Sequence, residues 1–101
     1  MNLLNRYNDL KLLVKDRKEQ FDRLMEFVEN ETSYMIAPAS ARYHLCCERG
    51  LLEHSINVAE TMIKLKTTLA PEITDESCVI VALLHDLGKA GMPGKPQYLV
   101  N

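Results

Sequence analysis

The sequence predicts an all-α protein, and three observations carry that expectation. Apolar residues recur at three- and four-residue intervals, as they do on one face of a helix. Helix-start residues precede two of these stretches, and a proline closes one. Nothing in the pattern indicates a β-sheet.

Asp16 and Glu19 have the spacing of a capping box, and Phe21, Leu24, Met25 and Val28 follow at i, i+3, i+4 and i+7. This predicts a helix from Asp16 to Glu29. Ahead of it, Tyr7 to Lys15 carries Leu10, Leu13 and Val14 on the same period, either as a separate helix or as the first turns of the longer one. Around Pro38 the pattern breaks, and Ala37, Ala39, Ser40 and Ala41 suggest a connection followed by a short helical turn. Leu51, Ser55, Val58, Met62, Leu65 and Leu69 are then spaced 4, 3, 4, 3, 4, a helical stripe that Gly50 opens and Pro71 stops.

Thr74 is placed as an N-cap, Asp75 and Glu76 complement the positive end of the helix dipole, and Ile73 can staple against Cys78. The run Cys78 to Leu84 is apolar on every face and, alone, also fits a buried strand. The cap before it and Gly88 as a C′ glycine behind it favour a central buried helix. Gly91 to Pro96, with two glycines and two prolines, is loop.

At 101 residues the chain can form one modest core, so residues 1–101 are expected to be a single domain. Hydrophobic content of 47% and charged content of 26% suit a folded globular protein. A net charge of −2 leaves no global basic field for nucleic acid. The longest apolar run is far short of a membrane span, and the N-terminus lacks the pattern of a signal peptide, so a cytoplasmic location is expected. Three cysteines, two of them adjacent, argue against a disulfide framework, and no CxxC pinch points to structural zinc.

The chemistry concentrates at His85 and Asp86, polar residues directly after seven apolar ones. A carboxylate beside a core needs a compensating partner, and the carbonyls of a helix end add partial negative charge that favours a cation. His54 falls three after Leu51 and four before Val58, on the buried side of the preceding helix. Packed side by side, the two helices would give an ion two imidazoles and one carboxylate. Mixed nitrogen and oxygen ligation suits Mn, Fe, Co, Ni or Zn better than Mg, and three ligands leave room for water and substrate.

Gly50-Leu51-Leu52-Glu53-His54-Ser55 and Leu83-Leu84-His85-Asp86-Leu87-Gly88-Lys89, in this order and spacing, resemble the first two metal-binding motifs of the HD-domain superfamily of metal-dependent phosphohydrolases. The resemblance covers Pro38 to Gly91. It implies a helical bundle of about four helices here, with 1–37 an N-terminal helical segment and 38–101 the N-terminal part of the HD-type domain. It implies His54, His85 and Asp86 as ligands of a divalent metal ion, and Lys89 as the catalytic group that holds or polarises a phosphate. His44 resembles a histidine of the nuclease-like branch, which implies contact with substrate or a second ion, and Arg49, with Arg42, is placed to neutralise phosphate oxygens. The activity implied is hydrolysis of a phosphoester in a phosphorylated small molecule, nucleotide or nucleic-acid end.

One departure stands out: no Asp or Glu follows Asp86, whereas the family takes a further Asp ligand from much later in the chain. Either the domain is truncated, or another chain donates the ligand, or the metal site has lapsed; the abrupt end after a Gly/Pro loop favours truncation, with exposed apolar surface and homo-oligomer formation as its expected consequence. Two other readings share these residues. Two histidines and a carboxylate also suit a non-haem Fe(II) oxygenase, and the missing Asp suits a non-catalytic metal- or nucleotide-binding module.

Overall fold

The computed structural model describes residues 2–36 and 49–90 as four α-helices and one short 3₁₀ turn, with no strand among the described residues. The all-α expectation is borne out. Asn2 caps α1 (Leu3–Lys11), its side-chain oxygen accepting from the Asn5 N–H at 2.8 Å. A turn over residues 12–17 separates α1 from α2 (Lys18–Glu31), so the N-terminal stretch is a helix of its own. Helix α3 (Gly50–Leu69) and helix α4 (Asp75–Leu84) follow, and α5, a single 3₁₀ turn, spans Leu87–Ala90.

The capping box expected at Asp16 does not form. Helix α2 begins two residues later, behind Arg17, and Glu19 pairs with Arg23 instead. What satisfies the backbone there comes from across the fold: one Glu76 oxygen accepts the N–H groups of Lys15 at 2.6 Å and Arg17 at 3.1 Å. Its other oxygen takes the Arg17 guanidinium at 3.0 Å. A charged acceptor with several donors outcompetes a local side-chain cap.

Thr74 does cap α4, accepting from the Ser77 N–H at 3.1 Å. Gly88, however, is not a left-handed cap. Helix α4 ends at Leu84 in a right-handed residue, His85, and Gly88 lies within α5. On α3 the buried stripe is also rotated from the expected one. Leu51, Leu52, Ser55, Ile56 and Ala59 are buried, whereas Leu65 and Leu69 are 54% and 76% exposed. In the C-terminal half of α3 the covered face runs through Met62, Ile63 and Lys66, and Leu65 and Leu69 lie off it.

Helices α3 and α4 pack as an antiparallel hairpin. Lys66 meets Asp75 at 2.8 Å near the connection, and His54 meets Asp86 at 3.4 Å at the far end. Helix α1 ties to both neighbours: Arg6 pairs with Glu60 of α3 at 2.6 Å, and Lys11 with Glu29 of α2 at 2.8 Å. Tyr7 donates to the same Glu29, and this bond with burial pushes the phenol pKa far up, burial contributing most. Val28, Leu52, Ile56, Val79 and Leu83 are fully buried in one core, and each such aliphatic contributes about 1.5–3 kcal/mol. That core holds the first turns of α3 against the last turn of α4.

Candidate metal centre

The antiparallel hairpin decides which residues meet. His54 is in the second turn of α3, and His85 and Asp86 follow directly on α4, so both groups lie at the open end of the hairpin. Asp86 Oδ2 is the point of convergence: His85 Nε2 lies 3.2 Å from it, His54 Nε2 3.4 Å and Lys89 Nζ 3.3 Å. The two imidazole centroids are 5.3 Å apart, tilted by 54°. His54 keeps 36% of its side chain exposed, so it sits on the rim of the buried face rather than within it. Asp86 keeps 22%.

Lys89 reaches Asp86 because of the 3₁₀ turn. Three residues per turn stack positions i and i+3, and the Lys89 N–H donates to the Asp86 carbonyl at 2.9 Å. The lysine thus stands over the carboxylate by local geometry alone.

His85 is held at its other nitrogen. Nδ1 lies 2.7 Å from the Ala82 carbonyl, which can only accept, so Nδ1 carries the hydrogen and Nε2 of the neutral ring carries a lone pair. That lone pair faces a carboxylate oxygen at 3.2 Å. Two acceptors this close need a cation between them, either a proton or a metal ion. The spacing suits a metal: ligands ~2.1 Å from an ion are roughly 3.0 Å apart at right angles and roughly 3.4 Å at the tetrahedral angle. The ligand atoms of His54, His85 and Asp86 all lie within 4.8 Å of one another. The donor set therefore fits a divalent ion.

Beneath the cluster, Tyr34 is buried completely and its hydroxyl donates to the Leu83 carbonyl at 2.6 Å. Burial is the main reason its pKa is pushed up to about 12, and the Asp86 charge adds to the rise. Ser55 Oγ, also buried, is close enough to oppose that rise, yet makes no well-formed hydrogen bond among the described residues. Sequence reading missed Tyr34, because it lies between periodic stretches and its partner is 49 residues away.

Two shallow clefts flank the cluster. One of about 250 Å³ is lined by His85, Asp86, Gly88 and Lys89. The other, about 320 Å³, runs along α3 past His54, Asn57, Val58, Thr61 and Met62. Arg49 lines neither; it caps α3 in the left-handed region at φ 65° with its side chain exposed. His44 and Arg42, with Cys46 and Cys47, lie outside the described residues, whereas Cys78 is a buried free thiol. A larger cleft of about 460 Å³ opens at the other end of the hairpin, among Lys66, Asp75 and Glu76, away from the converging ligands.

The family model of the HD domain matches residues 51–98. Over these residues, just under half of the chain, the sequence is similar to the HD-domain family. The match contains His54, His85, Asp86 and Lys89, and it leaves out His44 and Arg49. Comparison with curated proteins and with solved structures gives no match. The HD domain is a domain of metal-dependent hydrolases, and the His54, His85 and Asp86 group is of a kind that can hold a divalent metal. No described helix is long and apolar enough to cross a membrane.

Proposed function

We propose that this HD domain is a metal-dependent phosphohydrolase, with His54, His85 and Asp86 as the ligands of a divalent transition metal and Lys89 as the catalytic cation. The observation that supports this most is the facing pair of acceptors, His85 Nε2 and Asp86 Oδ2 at 3.2 Å, beside a second imidazole at 3.4 Å. A bound divalent ion supplies water of lowered pKa and positive charge for phosphate oxygens.

The protein's own groups do the rest. The Ala82 carbonyl fixes the tautomer and tilt of His85, leaving Nε2 as a ligand. Asp86 offers its carboxylate to the same ion, and its field holds the Lys89 ammonium at 3.3 Å. Once Asp86 is committed to a metal, Lys89 is available to an anion in the adjacent cleft, where it neutralises phosphate charge in the transition state. The substrate proposed is a phosphorylated small molecule, a nucleotide or a nucleic-acid end. A lysine at the opening favours such an anionic substrate over a neutral one.

Metal analysis of protein purified in the presence of Mn²⁺ tests the site: bound metal is expected in the wild type and absent in the His54→Ala, Asp86→Ala double variant. Equal metal in both ends the proposal. Phosphate release from a nucleotide panel, dependent on that metal and reduced in Lys89→Ala, tests the reaction.

A further inference from the structure

We propose that Tyr34 is a positioning residue for the His85–Asp86 pair. The inference rests on the metal reading above and adds a residue from outside the two motifs. The last four carbonyls of an α-helix have no partner within the helix. In α4 these belong to Val81, Ala82, Leu83 and Leu84, and side chains take two of them. His85 Nδ1 takes Ala82, and the Tyr34 hydroxyl takes Leu83 at 2.6 Å. The Leu83 carbonyl belongs to the Leu83–Leu84 peptide, directly ahead of His85, so the tyrosine holds the end of α4 from which both ligands follow.

Tyr34 is itself fixed. Thr32 Oγ1 donates to the Val28 carbonyl at 2.5 Å and accepts the Tyr34 N–H at 3.2 Å, tying the residue to the end of α2. Ile36 N–H returns to the Ser33 carbonyl at 3.1 Å, and the Ile36 carbonyl accepts the Arg49 N–H at 2.9 Å, one residue before α3. The turn at 32–36 therefore links the ends of α2, α3 and α4 around a side chain with no exposed surface. Without the hydroxyl, the Leu83 carbonyl loses a buried partner and the end of α4 is free to rotate toward another one. His85 and Asp86 rotate with it.

The test uses Tyr34→Phe, which keeps the ring and its packing, and Tyr7→Phe as a control. Tyr7 is an equally buried tyrosine whose hydroxyl bonds the Glu29 side chain of α2 and no carbonyl of α4. Calorimetric Mn²⁺ titration is expected to show affinity about tenfold weaker in Tyr34→Phe, the low end for groups that orient a metal ligand, and unchanged in Tyr7→Phe. A second readout needs no metal: the ring ¹⁵N shifts of His85, which report the Nδ1–H tautomer in the wild type, shift toward a mixture in Tyr34→Phe only. Unchanged His85 shifts, wild-type Mn²⁺ affinity in Tyr34→Phe, or equal losses in both variants overturns the assignment. A wild type that binds no Mn²⁺, with His85 shifts that still respond to Tyr34→Phe, overturns the metal reading and supports the positioning role.

Discussion

Replacing Asp86 by Asn keeps the shape of the side chain and removes its charge. Three groups converge on Oδ2 at 3.2–3.4 Å, so the substitution touches every pair in the cluster at once. In metal-free protein the cost is small. Partly exposed ion pairs contribute about 0–1 kcal/mol, so metal-free stability should change by no more than about 1 kcal/mol. With Mn²⁺ the outcome differs. Metal at 100 times its Kd stabilises the wild type by about 2.7 kcal/mol. A chain of 101 residues gains about 4–8 °C in Tm per kcal/mol, hence about 10–20 °C from the metal. Losing a direct ligand weakens binding at least about 100-fold, the most that loss of an orienting group costs. The same Mn²⁺ concentration then equals Kd and leaves about 0.4 kcal/mol, or about 2–3 °C. Thermal melts of both proteins with and without Mn²⁺ read this directly. A metal-induced shift in Asp86→Asn as large as in the wild type refutes Asp86 as a ligand.

The Glu76 carboxyl is held below its ordinary range, chiefly by the Arg17 backbone N–H, then by the Arg17 guanidinium and the neighbouring N–H groups. A depressed folded-state pKa gives stability that is present above the ordinary carboxyl pKa and lost as pH falls through the folded value. Glu76→Gln should therefore be less stable than the wild type at neutral pH, with the difference narrowing in acid; urea midpoints across pH that differ by a constant amount contradict this. Leu83→Ala empties a fully buried position under the cluster and should cost about 2–5 kcal/mol in chemical denaturation. Leu69→Lys, at a position 76% exposed, should change stability by less than about 0.5 kcal/mol; a cost above 2 kcal/mol means that the end of α3 is covered.

Much of the candidate site was legible because its parts are local. Thr74 caps α4 and the apolar run makes that helix central, whereas the 3₁₀ turn that sets Lys89 over Asp86 stands where a C′ glycine was expected at Gly88. His54 was legible as a candidate from its place beside Leu51 on α3. What failed was reasoning that took a local signal to be final. The Asp16 box lost to Glu76, 60 residues away, and Leu65 and Leu69 kept the helical period without anything to pack against.

By itself the sequence determined the all-α class, the cap at Thr74 and the His85–Asp86 pair at a helix end, since each depends on neighbours within a few residues. Only the tertiary structure decided that His54 meets that pair, because an antiparallel hairpin brings the start of α3 to the end of α4. It also decided that Tyr34 closes the Leu83 carbonyl and that Glu76 replaces Asp16 at the start of α2. These are choices of partner far apart in the chain, 49 residues for Tyr34 and Leu83 and 59 for Arg17 and Glu76, and periodicity reports which face a residue occupies but not what comes to lie against it.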